Sequence, residues 1–420
     1  GAAVGTGLGN YSITYVDGTL AVRAGLTIIA NSTGKVYGDT VAFTGTEFTV
    51  TGLQGSDNVT SVTLTSAGAA ATAAAGSYGI VPGSAVGTGL DNYYITYVDG
   101  TLTVGPRALT VTADNRSKTY GDAAGIAGTE FTVTGLVSSD AVTGVTLASA
   151  GTQASATVGS YALVPSGATG SGLANYSITY ANGTLTVDPR TLTVTADSRS
   201  KTYGDAASFA GTEFTVTGLV NSDVVTGISL TSSGAAALSA VGTYDIVPGD
   251  AAGTGLGNYS ITYTNGTLTV GPRPLAITAN NRSKTHGSTV TFAGTEFVAV
   301  GLVNSDSVTA VTLTSAGAGA GATAGTYDIV PSGATGSGLE NYAVTYTNGT
   351  LTVGKAGVIW TVTSSPASSA PGSPVILTAT VNNTDATGTV TFMDGGAVLG
   401  TGTLNNGVAT FTTSGLSVGS

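Results

Sequence analysis

The sequence repeats itself with a period of 83 residues, and this period constrains the possible folds more than any other feature. The motif Lys-x-Tyr-Gly recurs at this spacing, and its aromatic position holds Tyr37, Tyr120, Tyr203 and, in the fourth copy, His286. The motif Gly-Thr-Glu-Phe recurs in the same register, with Phe48, Phe131, Phe214 and Phe297. Solenoid repeats are shorter, about 20–50 residues, whereas this length suits an independent small domain. The period therefore predicts a tandem array of small domains.

The repeat boundaries follow from the register of these motifs. Four copies run from Lys35 to Val353 without an insertion or deletion. We assign the C-terminal hairpin of a truncated repeat to 1–22, then repeat 1 to 23–104, repeat 2 to 105–187, repeat 3 to 188–270, repeat 4 to 271–353 and a different, partial domain to 356–420. Proline in the short linkers fixes φ and restricts the preceding residue, so we expect a limited range of angles between repeats.

Each repeat has the period-2 pattern of β-strands. In repeat 2, Leu109, Val111 and Ala113 alternate with threonines, which predicts one buried face and one hydroxyl-bearing face. Asn182-Gly183 predicts a tight hairpin between strands at 176–180 and 185–187, and 138–141 is the place where we expect one helical turn. With six or seven strands per repeat, the predicted fold is all-β. It is a tandem array of β-sandwich-like modules, with β-grasp-like modules as the alternative.

Composition excludes several classes of partner. Only 8% of the residues are charged, the net charge is −11, and there is no cysteine. Nucleic-acid binding needs clustered basic residues, so we expect no nucleic-acid partner. No apolar run approaches the ~20 residues of a membrane helix, so we expect no membrane insertion of these 420 residues. We expect a monomer stabilised by packing, without disulfides.

The residue types that support catalysis are scarce or are repeated in every copy. His286 is the only histidine, and we interpret it as a substitution at a half-exposed aromatic position. Carboxylates recur in every copy or nearly so, and we assign them to hydrogen bonding in turns: Glu47, Glu130, Glu213 and Glu296, and Asp39, Asp122 and Asp205. Glycine-rich runs lack the context of a phosphate loop. We therefore predict no enzyme, no catalytic residues and no cofactor-binding residues.

Two stiffening devices are considered as alternatives. Calcium would need closely spaced oxygen ligands, and the linkers offer at most Asp188, so we predict no metal site. The second device is a covalent bond between a lysine and an asparagine side chain. It is considered because both residue types recur in register, as Lys35, Lys118, Lys201 and Lys284, and as Asn92, Asn175, Asn258 and Asn341. Lys118 follows Arg116 in a polar stretch, so we expect a solvated strand end there.

Several motifs recur together and carry a family resemblance. They are "SKTYGD" at Ser117–Asp122, the stretch G-L-x-x-S-D-x-V, and "NYSITYANGTLTV" at Asn175–Val187. In this respect residues 1–354 resemble tandem MBG repeats of the YGX type, and copy four departs from the pattern at His286-Gly287-Ser288. The run from Gly388 resembles a bacterial Ig-like domain, which normally continues with two further strands. The resemblance implies an exported, adhesin-like protein and names no ligand.

The sequence therefore favours a non-catalytic stalk or spacer in a large bacterial cell-surface or secreted protein. The alternative is a multivalent adhesive module that binds glycans or proteins, which would need exposed aromatic patches; most tyrosines lie at positions predicted to face inward. If the chain is a stalk, glycan or surface-protein partners would be bound through other parts of a longer chain. No ligand-binding residue can be assigned from the sequence.

Overall fold

The computed structural model describes residues 1–419, which form two compact units. Unit 1 comprises Gly1–Thr195, Phe214–Ser229 and Gly249–Thr264, and unit 2 comprises Ala196–Glu213, Leu230–Pro248 and the residues from Asn265 onward. The division runs through repeat 3. Its three-stranded sheet lies almost entirely in unit 1, and most of its four-stranded sheet lies in unit 2.

The fold is almost entirely β, as the sequence predicts, with seven strands in each repeat. Repeat 1 contains β1 (Ala24–Ala30), β2 (Thr33–Val36), β3 (Phe48–Thr51), β4 (Asn58–Thr65), β5 (Gly76–Thr88), β6 (Tyr93–Val98) and β7 (Gly100–Gly105). Repeat 2 contains β8 (Arg107–Ala113), β9 (Arg116–Thr119), β10 (Phe131–Thr134), β11 (Ala141–Ala148), β12 (Gly159–Ser171), β13 (Tyr176–Ala181) and β14 (Gly183–Asp188).

Repeats 3 and 4 follow the same order of strands. Repeat 3 contains β15 (Arg190–Ala196), β16 (Arg199–Thr202), β17 (Phe214–Thr217), β18 (Val224–Thr231), β19 (Gly242–Thr254), β20 (Tyr259–Thr264) and β21 (Gly266–Gly271). Repeat 4 contains β22 (Arg273–Ala279), β23 (Arg282–Thr285), β24 (Phe297–Val300), β25 (Ser307–Thr314), β26 (Gly325–Ser337), β27 (Tyr342–Thr347) and β28 (Gly349–Gly354).

The seven strands of a repeat form two sheets. In repeat 1 the first sheet has the order β3-β1-β6, and the second has the order β2-β7-β5-β4. The core lies between them, because Leu26 and Ile28 of the first sheet pack with Ile80 and Leu102 of the second. In repeat 2 the predicted alternation is confirmed, since Leu109 is buried in the same way. Each repeat is therefore an all-β module of two sheets packed around one core, as the predicted sandwich-like arrangement requires.

The predicted hairpin at Asn182-Gly183 is wrong. Strand β13 pairs in parallel with β8 in the first sheet, whereas β14 pairs with β12 and β9 in the second. The chain therefore crosses between sheets at this point. Gly183 is required because a Cβ there would overlap the carbonyl oxygen of Ala113, where two crossing segments run side by side. Close backbone approach explains this glycine better than a hairpin turn does.

The predicted helical turn at 138–141 is also wrong. Ser138 has φ 58°, which interrupts a right-handed helix. Single turns of 3-10 helix lie elsewhere, and five of them end on an asparagine: Leu8–Asn10, Leu90–Asn92, Leu173–Asn175, Leu256–Asn258 and Leu339–Asn341. The sixth is Ala150–Thr152.

Residues 1–22 contain the first of these turns but no strand, so the hairpin predicted there is wrong as well. In complete repeats the equivalent strands pair with the first and fifth strands of the same repeat. Those partner strands precede the hairpin region in each repeat.

The C-terminal region has five strands in two sheets. They are β29 (Trp360–Ser365), β30 (Val375–Val381), β31 (Gly388–Asp394), β32 (Ala397–Leu404) and β33 (Val408–Thr413). The sheet orders are β29-β30-β33 and β31-β32. The predicted hairpin connection at 393–396 is confirmed, because β31 and β32 are antiparallel neighbours. Phe392 and Phe411 stack in the core with ring centroids 5.9 Å apart.

Candidate functional site: the joints between repeats

The most elaborate constellation of polar and aromatic side chains lies where one repeat meets the next. At the joint between repeats 1 and 2, Tyr37 of repeat 1 donates a hydrogen bond to Asp140 Oδ2 of repeat 2 at 2.9 Å. Tyr176 of repeat 2 donates to the same oxygen at 2.8 Å. The two rings meet edge to face with centroids 5.5 Å apart, a favoured aromatic geometry. One carboxylate therefore links tyrosines of two repeats.

Both tyrosines are buried and remain protonated at neutral pH. Tyr37 is 4% exposed and Tyr176 is 7% exposed. The hydrogen bond to Asp140 raises the pKa of Tyr37, and burial raises the pKa of Tyr176. Each hydroxyl is therefore an uncharged donor to a carboxylate, and such a hydrogen bond is stronger than one between two neutral groups. The Lys-x-Tyr-Gly tyrosine is thus an interface residue.

Apolar packing continues through this joint. Tyr37 and Val104 of repeat 1 form one buried cluster with Leu109 and Tyr176 of repeat 2. Gly38, at φ +90°, lets the two repeats approach closely, because a Cβ built there would lie 2.7 Å from a methyl group of Val137. The recurring motif therefore places a glycine where the next repeat contacts the backbone.

The linker arginine contacts the same joint from its solvent-exposed side. Arg107 Nη1 donates to the Tyr37 carbonyl oxygen and to Asp39 Oδ1, both at 3.1 Å. About a third of the arginine side chain and half of the aspartate side chain are exposed, so the ion pair itself contributes at most about 1 kcal/mol. Asn175 Oδ1 adds a bond by accepting from Ala75 N at 2.9 Å. The arginine and asparagine thus fix geometry around the buried tyrosines.

The other two joints have the same construction. Between repeats 2 and 3 the cluster consists of Tyr120, Asp223, Tyr259, Arg190, Asp122 and Asn258. Between repeats 3 and 4 it consists of Tyr203, Asp306, Tyr342, Arg273, Asp205 and Asn341. The first set lies within unit 1 and the second within unit 2.

The end of repeat 4 lacks this chemistry. Where the other repeats have tyrosine, aspartate and the next linker's arginine, it has His286, Ser288 and Ala356. His286 Nδ1 lies 2.9 Å from the Ala322 carbonyl oxygen of its own repeat. A Cβ on Gly287 would meet nothing within 4 Å. His286 is half-buried, as expected, whereas the tyrosines at the equivalent positions of the other repeats are buried. The residue changes coincide with the end of the repeat array.

Lys118, the motif lysine of repeat 2, is buried and does not form the solvated strand end that the sequence predicts. Lys118 is 9% exposed, and its Nζ donates to the carbonyl oxygens of Asp122, at 2.8 Å, and Gln153. Burial lowers its pKa. The ammonium thus links two loops through backbone oxygens. Because Asn175 accepts from the preceding repeat, the lysine and asparagine of repeat 2 are engaged with different groups.

Replacing Lys118 with methionine should lower the stability of repeat 2 by about 1–3 kcal/mol, because two part-buried hydrogen bonds from a charged donor are lost. Lys355→Met is the matched control, since Lys355 is exposed, and we expect no measurable change. Native-state hydrogen exchange in peptides from β9 and from 149–156 reports the effect. Equal exchange in the two variants would contradict the assigned role of Lys118.

The recurring glutamates organise a turn, as predicted. Glu47 accepts from the backbone N–H groups of Thr44 and Gly45, each at 2.9 Å, and from the Thr44 hydroxyl at 2.7 Å. The backbone bond from Thr44, followed by the bond from its hydroxyl, lowers the pKa of Glu47 to about 2. Glu130, Glu213 and Glu296 accept equivalent backbone bonds and also pair with Arg116, Arg199 and Arg282.

These glutamates should make the array sensitive to acid. The folded-state pKa of Glu47 lies below its unfolded value of about 4.3, so its contribution is complete above that value. The contribution is then lost as the pH falls toward about 2. Calorimetry from pH 7 to pH 2.5 should show a falling melting temperature below about pH 4.5. In Glu47→Gln the transition of repeat 1 should depend less on pH, and an unchanged dependence would contradict this assignment.

The structure brings no predicted carboxylates together as a metal site. Residues 1–419 contain no group of three or more His, Asp or Glu side chains placed to hold an ion. Asp39, Asp122 and Asp205 instead pair with the linker arginines. We expect the melting temperature to agree within about 1 °C in calcium and in EDTA, because a bound ion would raise it. A larger increase with calcium would reveal a site.

The joints contain functional residues that the sequence reasoning did not assign. From the sequence, Asp140, Asp223 and Asp306 are recognisable only as the aspartate of the motif G-L-x-x-S-D-x-V. Comparison of the repeats nevertheless contains a usable signal. In repeat 4, which no further repeat follows, the motif tyrosine, the aspartate two residues after it and the linker arginine are replaced together by His286, Ser288 and Ala356.

No helix among the described residues is long and apolar enough to cross a membrane.

Comparison with protein families decides the family. The model of the MBG domain (YGX type) matches residues 26–103, 109–186, 192–269 and 275–352, which together make up more than half of the chain. The chain belongs to the MBG family. Its MBG array is followed by a match to the bacterial Ig-like domain (group 3) at residues 362–420. The resemblance inferred from the motifs is thereby confirmed. Domains of these two families are typical of extracellular and surface proteins and are typically non-catalytic.

The likenesses between the chain and solved structures are distant. Among curated proteins, none matches the chain. The crystal structure of Down Syndrome Cell Adhesion Molecule isoform 1.30.30, N-terminal eight Ig domains, is 11% identical over 92% of this chain and 64% of that one, with a TM-score of 0.19. Drosophila N-cadherin EC1-4 is 7% identical over 67% of this chain and 83% of that one, with a TM-score of 0.24. Likenesses this weak carry no argument about function.

Proposed function

We propose that this chain is a non-catalytic stalk segment of a large bacterial cell-surface or secreted adhesin-like protein. The observation that carries the proposal is the joint, where a buried Tyr–Asp–Tyr cluster, a shared apolar core and a linker arginine connect one repeat to the next. The same construction occurs at all three joints between MBG repeats. Adjacent repeats held in this way can separate two ends of a protein without a ligand.

The stalk role can be tested by cell-surface display. The chain is anchored at its N-terminus and carries an epitope at its C-terminus, beneath a surface polymer layer. Removing residues 107–189 joins repeat 1 to repeat 3 and preserves a native Tyr–Asp joint. We expect capture by antibody-coated beads to fall with the repeat removed, while total epitope on permeabilised cells stays constant. Unchanged capture would contradict the spacer role.

The alternative adhesive role gives a different result in a binding assay. Tyr94 is 72% exposed and stands where the other repeats have Ser177, Ser260 and Ala343. The stalk role predicts no saturable binding of the chain to an array of glycans and matrix proteins. Saturable binding that Tyr94→Ser abolishes would support an adhesive role for repeat 1 instead.

A further inference from the structure

Repeat 1 presents a face that the other repeats use for contact with their predecessor. We call it the acceptor face and define it by Leu53, Gln54, Asp57, Asn92 and Tyr93. The equivalent residues of repeat 2 are Leu136, Val137, Asp140, Asn175 and Tyr176. Those residues contact the end of repeat 1 through the joint described above. The acceptor face is therefore the counterpart, in repeat 1, of an established interface.

This face is open in repeat 1. Leu53 is 37% exposed, and Gln54 and Asn92 are exposed, whereas Leu136, Val137 and Asn175 are half-buried. The preceding residues 1–22 do not use their apolar side chains to cover it, since Leu20 and Val22 remain almost fully exposed. Leu53, Gln54 and Asn92, whose counterparts in repeat 2 contact the preceding repeat, are therefore accessible in repeat 1.

The polar part of the face is preorganised for a second tyrosine. Tyr93 donates to Asp57 Oδ2 at 2.9 Å, as Tyr176 does to Asp140. Among residues 1–419, Asp140 also accepts from the tyrosine of the preceding repeat, and Asp57 has no such second donor. A carboxylate oxygen can accept two such bonds. The face therefore matches a buried phenol from outside the repeat.

The Lys-x-Tyr-Gly motifs of this chain do not supply that phenol. Tyr37, Tyr120 and Tyr203 already donate to Asp140, Asp223 and Asp306. The end of repeat 4 carries His286 and Ser288 in place of tyrosine and aspartate. A second copy of this chain thus has no matching end to offer, so copies do not extend head to tail through this face.

We propose that the acceptor face binds the Lys-x-Tyr-Gly end of another MBG domain, one that retains the tyrosine and aspartate which repeat 4 has lost. Its tyrosine donates to Asp57, its glycine leaves room for the side chain at Gln54, and its backbone donates to Asn92. The inference rests on the joints that carry the proposed function, but it assigns a partner to a face that the stalk role does not need.

The test uses repeat 2 as the probe. In a chimeric full chain, residues 107–190 replace residues 1–24, so that an added copy with Tyr120 and Asp122 precedes Gly25 through the native linker Asp188-Pro189-Arg190. We expect hydrogen exchange in the peptide 53–57 to slow at least tenfold, roughly to the rate of 136–140 in repeat 2.

A matched chimera carries Tyr120→His and Asp122→Ser in the added copy, which reproduces the end of repeat 4. Loss of protection in this control, with 136–140 unchanged, supports the proposal. Unprotected 53–57 in the first chimera, or equal protection in both, overturns it. In either case native protection at 136–140 leaves the stalk proposal standing, whereas loss of protection there would count against the joints themselves.

Discussion

Replacing Asp140 with alanine should weaken the joint between repeats 1 and 2 by about 2–3 kcal/mol, the largest polar effect we expect in the chain. Tyr37 then loses its carboxylate acceptor in a site that is 4% exposed. Tyr176 keeps a longer bond to the Val137 carbonyl at 3.3 Å, so its loss is smaller. Native-state hydrogen exchange at 136–140 measures the change locally, which avoids the assumption of two-state unfolding.

Asp57→Ala is the matched control for this variant. Asp57 accepts the same hydrogen bond from the tyrosine of its own repeat, but the hydroxyl from a preceding repeat is missing among the described residues. We therefore expect a loss of about 1 kcal/mol there. Equal losses in the two variants would mean that the carboxylate stabilises each repeat internally and contributes nothing to the joint.

Replacing Gly38 with alanine should cost about 3 kcal/mol, because two effects add. The residue has φ +90°, where a side chain is strained by about 1 kcal/mol. The added Cβ would also lie 2.7 Å from Val137 and 3.2 Å from Arg107 Nη1 across the joint, and such overpacking costs about 1–3 kcal/mol. Native-state hydrogen exchange at residues 136–140 should therefore be faster in Gly38→Ala than in the unsubstituted chain.

Gly287→Ala separates the two effects. Gly287 is the equivalent residue of repeat 4, with φ +87°, and a Cβ there would meet nothing within 4 Å. Only the backbone strain of about 1 kcal/mol should remain. If both variants lose the same stability, the glycine serves the turn alone, and the close approach of neighbouring repeats has no energetic role.

The sequence predicted the repeat period and the strands because both depend on local pattern. Leu109 and Val111 are buried where alternation puts them. It failed at Gly183, since a glycine needed for close backbone approach has the same letter as one needed for a turn. It failed at Lys118 for a related reason: the carbonyl oxygen of Gln153 comes from a distant loop, and neighbouring charges in the sequence give no sign of it.

The joint could be predicted only in part. Proline in the linkers predicts a limited range of angles between repeats, but the pairing of Tyr37 with Asp140 joins residues 103 positions apart. No period or propensity identifies such a contact. Comparison between copies comes closest, because His286, Ser288 and Ala356 differ from the other copies together. Three changes at one interface indicate a shared partner more strongly than any of them does alone.

Distance measurement between spin labels on adjacent repeats tests the central claim most directly, namely that the Tyr–Asp cluster holds neighbouring repeats in a fixed orientation. The chain has no cysteine, so Thr49→Cys and Thr132→Cys place labels at equivalent exposed strand positions of repeats 1 and 2. We predict one narrow distance distribution that broadens when Asp140→Ala is added. A broad distribution before that change, or a narrow one that survives it, would contradict the account.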